Sequence, residues 1–377
     1  MDFSFDESQE TVRDLASQIF TGHADVGRVR EVERSDDRFD RALWAELAKA
    51  NLLGIALPEE DGGSGLGMTE LCLVLEQQGR RVAPVPLLWT QVAALALASF
   101  AAADVRARWL PGVIAGNVVL TVALSEGGAG DPRDPSVSVS PDGSLHGSKP
   151  SVPWAHVAQR VLVPARSGSD LVVALVDPHG PGVTAEVGEA TDRQLLSHLT
   201  FDGAHGEVIA GPSSGAAVTE WILERALTGL AAIQLGVAAE AIAKAADYTS
   251  NRLQFGKPLS SFQSTSARAA DAYIDTEAMR ATLWQAAWRL DSGLDASMAV
   301  EVAMWWASEA GQRVVHATQH LHGGMGADID YPIHRYFLWG KQIEATLGGG
   351  SAHLARIGTA LAGTARPSGG ERTAVAR

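Results

Sequence analysis

The sequence predicts an α+β chain in three parts: an N-terminal helical domain over 1–117, a middle β-domain over 118–211 and a C-terminal four-helix bundle over 212–363. Three observations predict it. Apolar residues recur at helical spacing up to about Gly116, β-branched residues in period-two alternation replace that spacing from Val118, and long helical patterns return after Gly215.

In the first part, amphipathic stretches run from Val12 to Phe20, Leu43 to Leu53, Thr69 to Arg80 and Gln91 to Phe100, with Gly and Pro punctuation between them. In the second, turn signals such as Pro141-Asp142-Gly143 and Pro178-His179-Gly180 separate short β-prone runs. The third opens with a helical pattern from Thr219 to about Arg252, roughly 50 Å long. Further helical patterns run from Phe262 to Leu290, from Asp295 to His320, and through Ile333–Ala345 and Ala352–Leu361 as one interrupted helix. Short connections make these antiparallel neighbours. The tail over 364–377 is small and polar, and is expected to be mobile.

Composition narrows the function. Hydrophobic residues make up 46% of the 377 and charged ones 20%, enough for sizeable cores. A net charge of −14 without a Lys/Arg block argues against nucleic-acid and anionic-membrane surfaces, so an anionic ligand has to be met locally. The lone cysteine, Cys72, lies in an apolar run and reads as a buried thiol in a reducing compartment. The start, Met1-Asp2-Phe3-Ser4-Phe5-Asp6-Glu7, lacks the pattern of a secretory signal, and a cytoplasmic protein that spans no membrane is expected.

Three motifs add chemistry. Leu57-Pro58-Glu59-Glu60-Asp61-Gly62-Gly63-Ser64-Gly65 is a glycine-rich turn between helices. Arg252-Leu253-Gln254-Phe255-Gly256-Lys257-Pro258, followed by Phe262-Gln263, joins the first two bundle helices. His320-Leu321-His322-Gly323-Gly324-Met325-Gly326, with Tyr331-Pro332-Ile333-His334-Arg335 after it, precedes the last one. His320 and His322 have no third ligand at a convincing spacing, so no metal is expected.

In this order and spacing the three motifs resemble those of the acyl-CoA dehydrogenases, over residues 1 to about 362. The resemblance implies an FAD enzyme that oxidises a CoA thioester, a glutamate taking the α-proton while hydride leaves Cβ. It assigns FAD contacts to Arg252, Phe255, Phe262, Gln263, His320, Gly323 and Gly324: a guanidinium fork for the pyrophosphate, apolar walls, and glycines that expose backbone N–H groups. His320 stands where the family often has glutamine.

The resemblance also shows what is missing. One family position for the glutamate lies 26 residues before Arg252, which is Ala226; the other lies 16 after Tyr331, which is Leu347. Neither residue takes a proton. Glu224 is about 200° around its helix from Ala226, and Glu344, three residues before Leu347, is the weak surrogate. Ser151 and Pro153 stand where the family has the tryptophan and threonine that contact the isoalloxazine, so the chain's own flavin-ring pocket is expected to be degraded.

Three readings follow. The chain is the non-catalytic subunit of an α2β2 acyl-CoA dehydrogenase of the actinobacterial type that acts on steroid side-chain CoA thioesters, with electron-transfer flavoprotein as acceptor. Alternatively it is a self-sufficient homotetramer using Glu344, or a scaffold without flavin. The tryptophans on the second and third bundle helices, Trp284, Trp288, Trp305 and Trp306, read as packing residues and do not identify a steroid.

Overall fold

A computed structural model describes residues 4–128 and 130–364; the tail expected to be mobile lies outside the described residues from 365 onward. Six helices come first: α1 (Glu7–His23), α2 (Val26–Val32), α3 (Arg41–Lys49), α4 (Met68–Arg81), α5 (Leu87–Phe100) and α6 (Ala103–Ile114). Asp6, Asp25 and Asp40 cap the first three, each accepting from a backbone N–H in the first turn. Cys72 is buried on α4.

Seven strands follow: β1 (Leu120–Val122), β2 (Ser138–Val139), β3 (Ser144–Pro153), β4 (Arg160–Ser167), β5 (Asp170–Val176), β6 (Val183–Glu189) and β7 (Leu195–Ala210). Their pairings close into a ring, β4–β2–β3–β7–β5–β4, with β1 added parallel to β4 and β6 antiparallel to β7. The register of β3 on β7 shifts between Lys149 and Val152, where Ser151 takes a φ of 53°. Such an irregularity bends the strand locally. The ring has its own small core, from Val137 and Leu145 to Leu199 and Phe201.

The last part contains α7 (Gly215–Asn251), the small hairpin strands β8 (Leu253–Gln254) and β9 (Lys257–Pro258), α8 (Gln263–Asp291), α9 (Ser297–Leu321), α10 (Ile333–Ala345) and α11 (Gly349–Thr364). Among the described residues α7 is the helix long and apolar enough to cross a membrane, but its most apolar window is largely buried inside the protein. Its apolarity is that of a bundle's central helix.

Close backbone approach holds α4 on α7. A Cβ on Gly236 would come 2.0 Å from the Glu76 carbonyl oxygen, and one on Gly79 would come 2.1 Å from that of Ile233. Neither position admits a side chain. Asp291, at the end of α8, accepts from the Met68 and Thr69 N–H groups at 2.5 and 2.9 Å and so caps α4 from the far side of the chain. Arg335 of α10 forks onto Glu33 with two bonds of 2.9 Å. These ties make the first and last parts one body around the largest core.

Candidate cofactor-binding edge and central cavity

Arg252 leaves α7 in extended conformation, and the hairpin that follows turns at Phe255 (φ 53°) and Gly256 (φ 75°). Two positive φ values in a two-residue turn are the type I′ pattern, which ordinarily places Asn-Gly there. Phenylalanine in the left-handed region costs about 1 kcal/mol. Phe255 is also 92% exposed, its one ring neighbour being Phe262, edge-on at 6.5 Å. Gln263, the first residue of α8, is exposed beside them.

Opposite lies the end of α9. The His322 Nδ1–H donates to the Thr318 carbonyl at 2.7 Å, and the ring stacks on Tyr248 at 4.7 Å. Burial pushes its pKa down, so the ring is neutral at pH 7. Anchored in this way, His322 hands the chain to Gly323, whose φ of 57° suits glycine. A Cβ added to Gly323 or Gly324 would meet nothing within 4 Å.

Arg252, His320, Gly323 and Gly324 therefore line one open cavity of about 420 Å³, together with Tyr248, Gln254, Leu259, Ser264, Thr265, Arg268, Leu321 and His322. Phe255, Phe262 and Gln263 do not line it; they belong to the adjoining hairpin and the start of α8. Among the described residues nothing pairs with the Arg252 guanidinium. The edge has the donors for a diphosphate, and among the described residues no carboxylate pairs with the Arg252 guanidinium.

The three parts also enclose a larger cavity, of about 780 Å³. Gln78, Leu88 and Trp89 line it from α4 and α5; Glu126, Ser151, Pro153 and Trp154 from the β-domain; Leu230, Ile233, Trp339, Leu347 and Arg356 from the bundle. Leu347 is buried in left-handed conformation at the break between α10 and α11. Ala226 does not line the cavity and is fully buried in the core. Glu344 does not line it either and is ion-paired with Lys341. Glu224 is half-buried on α7, its pKa raised by burial and by Glu220, and it too stays outside the lining.

Three carboxylates do line the cavity, and all have partners. Glu126 is buried against the ammonium of Lys149 and accepts from the N–H and hydroxyl of Ser136 at 3.1 and 2.7 Å. Burial lowers the pKa of Lys149, an effect that Glu126 opposes. Asp131 accepts from the Arg133 N–H at 2.9 Å and faces the guanidinium groups of Arg133 and Arg356. Asp192 accepts from the Gln194 N–H at 3.1 Å and its side-chain amide at 2.8 Å, and burial pushes it up to about 6.

A charge network fastens the segment carrying Asp131 to the bundle. Arg133 forks onto Glu220 at 2.6 and 2.8 Å and reaches Glu301 at 3.2 Å. Glu301 accepts from His353 at 2.6 Å and lies 3.4 Å from Arg356. Burial works to raise the Glu301 pKa, and the hydrogen bond from His353 with the charges of Arg356 and Arg133 holds it below the usual range. On the β-domain wall the Thr121 hydroxyl donates to the Pro153 carbonyl at 2.6 Å, and Pro153 offers the cavity no N–H. The Glu126–Lys149, Thr121–Pro153 and Arg133–Glu301 partners are distant in sequence, so no local spacing announces them.

Comparison with known proteins agrees with this architecture. The acyl-CoA dehydrogenase N-terminal domain model matches residues 6–117 and the C-terminal domain model residues 213–362. Acyl-CoA dehydrogenase FadE27 of Mycobacterium tuberculosis is 37% identical, covering 97% of this chain and all of that protein. A chain of a Tcur3481-Tcur3483 steroid ACAD variant superposes with a TM-score of 0.91 at 49% identity, over 95% of this chain and 99% of that one. A chain of the ChsE4-ChsE5 complex of M. tuberculosis does so at 0.90 and 36% identity, over 98% of this chain and all of that one.

Proposed function

This chain belongs to the acyl-CoA dehydrogenase family, and from that premise we propose that it is the non-catalytic subunit of a heteromeric, FAD-dependent acyl-CoA dehydrogenase. The observation that carries the reading is a contrast. Arg252, His320, Gly323 and Gly324 line one open cavity, where the Arg252 guanidinium has no partner among the described residues, while both positions that the resemblance gives for a base hold apolar, buried Ala226 and Leu347.

FAD is the cofactor, and when bound it accepts the hydride taken from the acyl group. In this reading a homologous partner supplies the glutamate, the flavin-ring pocket and the CoA channel. Arg252 binds the FAD pyrophosphate, the Gly323-Gly324 backbone lies along it, His320 and Gln263 donate at the adenosine side, and Phe255 and Phe262 exclude water. A strained, exposed phenylalanine gains nothing within its own chain, which supports a role at another surface.

The substrate proposed is the CoA thioester of a steroid side chain, on the similarity to proteins described as steroid ACADs. The likeness to a chain of the ChsE4-ChsE5 complex supports a two-chain assembly. Electron-transfer flavoprotein as acceptor and a cytoplasmic location complete the reading.

Separate expression tests it. Made alone, the chain should be colourless and should not reduce flavin with a steroid side-chain CoA thioester. Made with a glutamate-bearing family member, it should yield a yellow complex that does. A yellow lone chain bleached by the thioester would overturn the reading.

A further inference from the structure

Positive charge on this chain is nearly all spoken for. Among the described residues, Arg34, Arg252, Lys257 and Arg268 are the lysine and arginine side chains without an ion pair, hydrogen bond or ring contact. Three of these four fall between residues 252 and 268, in a chain of net charge −14. Two of them, Arg252 at the foot of α7 and Arg268 on the second turn of α8, line the same 420 Å³ cavity.

Two like charges held in one cavity repel, and each forgoes the ion pair that the other guanidinium groups of this chain mostly make. Such an arrangement is sustained where an anion completes it. Asp271, one turn beyond Arg268 on the same helix, is close enough in sequence to pair with it, yet no ion pair forms. Lys257 sits on the hairpin and does not line the cavity.

We infer that Arg268 is a second diphosphate-binding residue, which with Arg252 sets two positive charges against the two negative charges of the FAD pyrophosphate. This rests on the proposed function above and adds a residue that none of the motifs contains. A planar guanidinium gives each arginine two parallel donors for one phosphate, so the pair can hold both phosphates. The exposed side of the cavity stays open to solvent until the partner covers it. Salt ions compete with the FAD phosphates for the two guanidinium groups as FAD enters, so the contribution of Arg268 falls as salt rises.

The test uses the complex of this chain with its catalytic partner, stripped of FAD and retitrated by quenching of flavin fluorescence. Arg268→Gln should raise the FAD Kd at least tenfold, Arg268→Lys should give an intermediate value, and the loss should shrink between 50 and 500 mM NaCl. The Tm of the lone chain should not move, because the side chain has no partner there. If Arg252→Gln weakens FAD while Arg268→Gln leaves its Kd within twofold of the parent, the inference fails and the proposed function stands. If both substitutions leave the Kd unchanged, both fail. Weakened subunit assembly with an unchanged Kd in the assembled complex would make Arg268 a subunit contact and also overturn the inference.

Discussion

At Leu347 the chain turns through a left-handed conformation that leucine adopts at a cost of roughly 1 kcal/mol. The side chain is buried against the central cavity, and in the proposed reading it stands where a catalytic family member carries its base. Leu347→Glu restores a carboxylate but not the ring contacts, since Ser151 and Pro153 remain. The variant should lose about 1–3 kcal/mol of stability by denaturant titration and still fail to bleach FAD with an acyl-CoA.

Two further carboxylates on the cavity, Asp192 and the Lys149-paired Glu126, make testable electrostatic predictions. Asp192 has an ordinary pKa of 3.8 raised to about 6 by burial. The folded state therefore binds its proton more tightly than the unfolded one, and this group costs stability as pH rises from about 4 to 6, with the full cost above 6. Asp192→Asn should exceed the parent by up to about 3 kcal/mol at pH 7, with the gain fading as pH falls through 6 toward 4. Thermal melts across pH 4–8 would show a flat difference if burial were not the cause. The buried Lys149–Glu126 pair makes an opposite prediction. Lys149→Met strands a carboxylate and should cost about 3–5 kcal/mol, whereas Lys149→Met with Glu126→Leu should recover most of it.

Among the elements, the helices were readable where apolar residues recur with a 3.6 period. The segment expected from Ile333 to Ala345 is helix α10, and the interruption expected before Ala352 is the break at Leu347. Positions 349–351 begin α11 earlier than expected, glycines there being tolerated because the helix packs on α9. The short helices α2 and α6 were covered only by the general helical texture up to Gly116. The motif residues Arg252, His320, Gly323 and Gly324 could be named because their motifs resemble those of the family, and they share one cavity. The Lys149–Glu126 pair and the Arg133–Glu301–His353 network could not, because their partners are brought together by the fold and not by any short-range pattern; Asp192 could not either, because its raised pKa comes from burial by the fold, although its partner Gln194 is only two residues away. Arg268 is intermediate: it lies beside a motif but outside its spacing.

The hairpin of β8 and β9 belongs to this scale too. Phe255→Gly should leave the lone chain as stable as the parent, or up to about 1 kcal/mol more stable, since strain is relieved and little burial is lost. The same change should loosen FAD in the complex, and equilibrium unfolding set beside flavin titration separates the two effects.

For the whole molecule, the exposed large apolar side chains include Leu253 and Phe255 on the hairpin, Tyr273 and Ile274 on α8, and Leu354 and Leu361 on α11. All of these belong to the bundle part, the part that carries the outward cofactor edge. Apolar side chains left exposed there suit burial against another subunit. Ile274→Asp should accordingly prevent association with the partner while shifting the lone chain's Tm little, which analytical ultracentrifugation and a melt would resolve. The core ties through Gly236, Asp291 and Arg335 make the rest of the chain a rigid frame for that surface.

In the proposed reading this chain lends a phosphate-binding edge to a cofactor whose reactive ring lies in another chain. Counting flavins by native mass spectrometry tests it most directly. One FAD per pair of unlike chains, none on this chain alone, and none after Arg252→Gln in this chain only is the predicted result. Two FAD per pair, or FAD on this chain alone, would contradict it.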